Sequence, residues 1–141
     1  MNPQKLVRWA LTAVVVAGLA IDAYVHLHLA GDYALVRTRF VSQATLFRVE
    51  GIAAILAAVL VLVRPRWWAV ALAFGVAAGG VAAVALYYYV DPGQIGPLPD
   101  MYEPVWYAEK AWSFDGEAAA AVAAAVLAAM IVRSDRQRQV S

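Results

Sequence analysis

Cysteine is missing from all 141 residues, and with it go disulfides, thiolate metal sites, c-type haem attachment and thiol redox chemistry. Charge is scarce as well: 15% of residues are Asp, Glu, Lys or Arg, and a net charge of +1 gives no reason to expect a nucleic-acid partner. Apolar residues fill the space. At 64% hydrophobic residues and a mean hydropathy of +0.67, the chain is too apolar for a soluble domain of this length and reads as a single integral membrane domain over residues 1–141.

A hydrocarbon core of about 30 Å takes roughly twenty apolar residues to cross. Four stretches qualify, at residues 6–30, 44–63, 67–90 and 114–132, with a polar tail at 133–141. Helix is the element that satisfies its own backbone in lipid, so the expected fold is an all-α membrane protein, a bundle of four transmembrane helices. Pro65 in the turn Arg64-Pro65-Arg66 breaks the helix and predicts a tight hairpin of spans two and three. Lys5 and Arg8 before an apolar run ending Gly18-Leu19-Ala20 also fit a cleaved signal peptide. The apolar run continues beyond Ala20, which suits an uncleaved span better.

Lys and Arg in short loops stay on the cytoplasmic side. Lys5 and Arg8, Arg64 and Arg66, and Arg133, Arg136 and Arg138 all belong to one side by span count. The connection between spans three and four is acidic instead, with Asp91, Asp100, Glu103, Glu109 and Asp115 against Lys110. Arg37 and Arg39 in the first loop run mildly against the pattern. The expected placement is a multi-pass protein of the plasma membrane with both termini cytoplasmic and the acidic connection outside.

Against this background the ionisable residues inside the spans stand out: Asp22, His26 and His28 in the first, Arg48 and Glu50 in the second. Charge in a bilayer is costly and needs a partner or a wet cavity, so these positions are candidate functional residues. Asp22 and His26 are four apart and share a helix face, whereas His28 lies about 200° around the helix from His26. Arg48 and Glu50 likewise point apart, and Arg48, nearer the interface, can snorkel. Asp22, His26 and Glu50 fall at overlapping depths, and Glu117 in span four reaches the same layer. Bundles build metal sites from inward Glu and His, and mixed carboxylate and imidazole ligands suit zinc, manganese or iron. The Glu-x-x-His pair of di-iron bundles is absent. Neutralisation of buried charge, Asp22 by His26 and Glu50 by Arg48 or another helix, is the alternative.

The outer connection opens with Pro92, Gly93, Gly96, Pro97 and Pro99, which predict a compact irregular loop. Val105, Trp106, Ala108, Ala111 and Trp112 then recur near helical spacing and predict a short interfacial helix, with Pro104 in its first turn and Ser113 or Asp115 capping span four. Tyr87, Tyr88, Tyr89, Tyr102, Trp106, Tyr107 and Trp112 form an aromatic belt on the simplest reading. On a sharper one, Glu103, Trp106 and Glu109 belong to a lid over the polar layer, able to hold a quinone-like ring, a lipid headgroup or a cation.

Small residues recur in span three at Ala71, Gly75, Gly79 and Ala83, and Gly75 with Gly79 makes a GxxxG pair for close packing inside the bundle or between copies. The stretch 93–117, with Gly96-Pro97-Leu98-Pro99, Trp106, Glu109-Lys110 and an acid opening the last span, resembles a loop of small four-span membrane proteins from bacteria with high-GC genomes. In size and span number the chain is also similar to DoxX-like proteins. Neither resemblance carries a catalytic residue.

Three functional readings follow. The first is a non-enzymatic protein that binds a small ligand or ion, or serves as an accessory subunit of a larger membrane complex. The second is a membrane-embedded oxidoreductase or quinone-type subunit using His26 and Asp22 for proton transfer. The third is an oligomeric transporter or ion pathway, although no inverted repeat is visible. The cofactor, if any, is unspecified by the residues.

Overall fold

The computed structural model describes residues 2–140. Four long helices run up and down: α1 Pro3–Leu29, α2 Gln43–Val63, α3 Trp67–Tyr89 and α4 Ala108–Val140. Each is long and apolar enough to cross a membrane, and the chain is a multi-pass membrane protein of the four-helix-bundle class. Contacts join α1 to α2, α2 to α3, α3 to α4 and α4 back to α1, so α1 and α3 sit on one diagonal. One end of the bundle carries the connections 34–42 and 90–107, here the loop end. The hairpin at 64–66, the start of α1 and the end of α4 occupy the other.

Local chemistry sets the helix boundaries. Asn2 caps α1 by accepting from the Gln4 N–H at 2.9 Å, with Pro3 in the first turn where no N–H is needed. A single 3-10 turn, Ala30–Tyr33, extends α1 and aims Tyr33 across the loop end. Ser42 caps α2 through the Thr45 N–H at 3.1 Å. Pro65 sits between α2 and α3, and no residue in the turn needs a positive φ.

The connection before α4 differs from expectation. Residues 101–107 are irregular, and the helical segment anticipated near Trp112 is the beginning of α4 itself, which starts at Ala108 and continues unbroken. Ser113 and Asp115 therefore lie inside a helix rather than capping one. Good helix formers from Ala108 to Ala111 on one side and the alanine run at 118–121 on the other give the backbone no reason to stop, and Pro104 ends up ahead of the helix. The tail is helical through Val140 as well. At 33 residues α4 is about 50 Å long, well beyond a hydrocarbon core, so its polar ends project from the membrane. Arg8 fastens α1 to this extension by donating to the Met130 carbonyl at 2.9 Å and to Ser134 Oγ at 2.7 Å.

The core is built from small residues. Ala54, Ala57, Ala73, Ala77, Ala120 and Ala124 are fully buried together with Val15, Leu19, Val61 and Val70. Closest approach occurs between α1 and α4, where Gly18 faces Gly116 and Ala120; a Cβ added at Gly18 would overlap the Gly116 carbonyl oxygen. Small residues at a crossing let backbones meet and gain dispersion contacts that lipid cannot offer. Gly75 and Gly79 do not serve this purpose, for nothing lies within 4 Å of a Cβ built at either. The expectation that this pair packs inside the bundle is corrected: both face outward, and the glycine against α4 is the neighbouring Gly80. Sequence spacing marks a small-residue stripe but leaves its direction open.

Candidate functional site

The Gly18–Gly116 crossing decides what happens one turn above it. Asp22 follows Gly18 by one turn on α1 and Glu117 follows Gly116 directly on α4, so the close backbones bring two carboxylates together. Both side chains are completely buried. Ser113, one turn from Glu117, lies between them, with its hydroxyl 3.3 Å from Asp22 Oδ1 and 3.1 Å from Glu117 Oε1. One hydroxyl hydrogen serves one acceptor at a time, so the pair shares a single donor.

His26, one turn above Asp22, places Nδ1 2.6 Å from Asp22 Oδ1. Its side chain keeps 13% exposure, so it stands at the rim of the cluster rather than in its depth. Glu50 of α2, half-buried, faces the same pair and interacts with both Asp22 and His26. The fourth helix contributes an absence. A Cβ at Gly80 of α3 would fall within 2.8 Å of Glu117 Oε2 and closer still to Oε1, so the glycine leaves the room that the carboxyl group fills.

One oxygen each from Asp22 and Glu117 and a ring nitrogen of His26 all lie within 4.8 Å of one another. Three buried oxygens at this site, Asp22 Oδ2, Glu50 Oε1 and Glu117 Oε2, have no hydrogen-bond partner. Buried polar atoms in native proteins are normally paired, and because Asp22 lies in hydrogen-bonding reach of both Glu50 and Glu117, these oxygens have a proton shared between carboxyl groups or a bound cation to meet. Among the described residues no lysine or arginine pairs with these acids. Arg48 is exposed and apart from Glu50, and His28 is exposed and stacks on Tyr24 with ring centroids 5.5 Å apart.

Above the cluster lies a second polar layer joined to it by aromatic rings. Phe47 touches the His26 ring edge-on at 5.0 Å and the Tyr33 ring at 5.0 Å. The Tyr33 hydroxyl donates to Glu103 Oε1 at 2.8 Å and lies 2.9 Å from the Tyr107 hydroxyl. Lys110 pairs with Glu103 Oε2 at 2.8 Å and donates to the Glu103 and Val105 carbonyls. Burial pushes the Tyr107 phenol above its ordinary pKa, so it remains a neutral hydrogen-bonding group at physiological pH. Trp106 instead packs edge-on against Tyr88 and Phe114, and Glu109 reaches Tyr107 through its charge alone. Glu103 is thus tied down over the bundle, while Trp106 and Glu109 flank it.

Tyr33, Phe47, Gly80, Ser113, Tyr107 and Lys110 all join these layers without having been singled out for them by sequence. Ser113 and Glu117 are four apart, a signal legible once α4 is known to begin before both. Tyr33 and Tyr107 carry no such signal, since their meeting depends on the loops. A groove of ≈ 680 Å³ flanks the α1–α4 crossing, but its lining is mostly apolar and includes none of the cluster carboxylates, so it is a feature of the lipid-facing surface.

Comparison with protein-family models, with curated proteins and with solved structures gave no match.

Proposed function

We propose that this chain is a non-enzymatic membrane protein that binds a small cation in the pocket formed by Asp22, His26, Glu50 and Glu117. The observation that carries the reading is the set of three buried carboxylate oxygens without hydrogen-bond partners, supplied by three different helices around one imidazole. Fully ionised, the three acids outweigh a single imidazolium, and a bound cation offsets the excess where no Lys or Arg does. Entry past the rim residues His26 and Glu50 fits a ligand arriving from the loop end.

Placement in the plasma membrane with that end outside is part of the proposal. Its support is the basic character of the opposite end, with Lys5, Arg8, Arg64, Arg66, Arg133, Arg136 and Arg138, against the acidic 91–115 segment. The outward Gly75 and Gly79 of α3 are where we place contact with a second copy or with a larger membrane complex.

The test is a thermal-unfolding series on purified protein in micelles, with sodium, potassium, magnesium, calcium, manganese and zinc chlorides in turn. A ligand present at 100 times its dissociation constant stabilises by about 2.7 kcal/mol. At least one cation is expected to raise the midpoint in the wild type and to do so far less in Glu117→Gln. Failure of all six to shift the wild type refutes the reading. The short Asp22–His26 contact favours a second reading, a proton-transfer pair in a quinone-type oxidoreductase subunit. Quinone binding that shifts the midpoint where the cations do not would move the conclusion there.

A further inference from the structure

We infer that the bound cation is a divalent first-row transition ion, held by His26 Nδ1 and by the free oxygens of Asp22 and Glu117, with Glu50 closing the site at its rim. This rests on the cation-binding reading above and names the class of ion.

The donor set selects the ion. Sodium, potassium, magnesium and calcium take oxygen ligands almost exclusively, whereas imidazole nitrogen suits zinc, manganese and iron. A neutral His26 with two ionised carboxylates balances a double positive charge, so these three ligands and the ion form a neutral unit in a low-dielectric setting. Size agrees as well. Bonds of about 2.0–2.2 Å to nitrogen and oxygen separate neighbouring ligands by roughly 3–4 Å, and the three donor groups already lie within 4.8 Å of one another. His26 Nδ1 faces Asp22 Oδ1 at 2.6 Å and the Asp22 carbonyl oxygen at 3.1 Å, both acceptors, so the ion takes the place of the Nδ1 proton and the ring turns from Oδ1 toward the free Oδ2 to admit it.

Division of labour within each carboxylate supports the same assignment. Ser113 engages Asp22 Oδ1 and Glu117 Oε1, and the oxygens left without any partner are Oδ2 and Oε2 of the same two groups. A ligating carboxylate is commonly held by a hydrogen bond on its other oxygen, which fixes its orientation. Ser113 occupies that position for both acids at once, and Gly80 leaves the space in which the Glu117 carboxyl group sits. Glu50 lies outside the three-ligand set but faces Asp22 and His26, where it can supply a fourth oxygen.

The test uses chelator-treated full-length protein in micelles and zinc chloride as the probe, read by equilibrium dialysis, with cobalt chloride as a spectroscopic substitute. One zinc per chain is expected, undisturbed by a large excess of calcium or magnesium, and cobalt should give visible absorption bands of a low-symmetry site with nitrogen ligation. His26→Ala is expected to weaken zinc binding by about 100-fold or more, and Ser113→Ala by about 10-fold. His28→Ala, on the same helix but stacked on Tyr24 at the surface, should leave binding unchanged and so rules out a surface site. If His26→Ala proves unfolded, the cobalt spectrum of the wild type decides, since oxygen-only ligation overturns the inference. Stabilisation by calcium or sodium without zinc binding, or zinc binding indifferent to His26, also overturns it while leaving the cation-binding reading intact. Absence of any cation effect on the wild type removes both.

Discussion

Replacing Gly18 by alanine asks whether the α1–α4 crossing sets both the stability of the bundle and the geometry of its polar cluster. The added Cβ would overlap the Gly116 carbonyl oxygen and lie 2.9 Å from the Ala120 Cβ and 3.2 Å from the Gly116 carbonyl carbon. Two of these atoms are backbone and cannot swing aside. Relief requires the helices to part by about 1 Å, enough to forfeit a quarter to a half of the dispersion energy at each contact along the crossing. Overpacking of this kind costs about 1–3 kcal/mol, and the better helix propensity of alanine returns about 1 kcal/mol. The net expectation is a loss of up to about 2 kcal/mol. Gly79→Ala is the control, because the same methyl group there meets nothing within 4 Å and should gain up to about 1 kcal/mol. Both variants would be unfolded by SDS titration in mixed micelles dilute enough to keep the chain monomeric. A Gly18→Ala protein as stable as Gly79→Ala would refute the claim that Gly18 is the point of closest backbone approach. Because Asp22 and Glu117 sit next to this crossing, Gly18→Ala should also weaken cation binding, and Gly79→Ala should not.

Three further expectations follow from the geometry. Gly80→Ala pushes a methyl group against the Glu117 carboxyl, whose flexible end can move, so stability should change by less than about 1 kcal/mol while cation-induced stabilisation falls sharply; wild-type binding would show that Gly80 is not needed for the site. Tyr33→Phe removes the hydroxyl shared by Glu103 and Tyr107, and amide hydrogen exchange in residues 101–107 should accelerate by about 10-fold, the effect of roughly 1.4 kcal/mol, with the core helices unchanged; equal exchange would mean the loop is held by its other contacts. The absence of cysteine makes topology directly measurable: in intact cells an impermeant maleimide should label Asp100→Cys, and Arg136→Cys only after permeabilisation. The reverse pattern would invert the proposed orientation.

The fold was legible because lipid imposes a simple rule. Runs of about twenty apolar residues separated by Pro65 or by turn-rich segments leave helices as the solution, and the observed helices begin and end within a few residues of the expected spans where a capping residue or proline punctuates the chain. Where no such signal exists the reading fails. The start of α4 lies six residues ahead of the expected span at 114–132, in sequence whose helical period was visible but whose continuity was not. Helical arithmetic also placed Asp22 with His26 and separated His26 from His28 and Glu50 from Arg48, since spacing on one helix is fixed by 3.6 residues per turn. Contacts between helices follow no such arithmetic. Ser113 between two acids, Gly80 beneath Glu117 and Tyr33 over Glu103 each depend on how one helix is rotated against another.

Sequence alone determined that this chain is a bundle of four membrane-crossing helices with acids and an imidazole at comparable depth, because hydropathy and helical periodicity are local properties. Tertiary structure decided that Gly18 and Gly116, rather than Gly75 and Gly79, bring two backbones together, and that three carboxylate oxygens are consequently buried beside one histidine without partners. Rotation of the alanine-rich stretch 118–129 about its helix axis changes little in hydropathy, so only packing against its neighbours selects the face that turns inward.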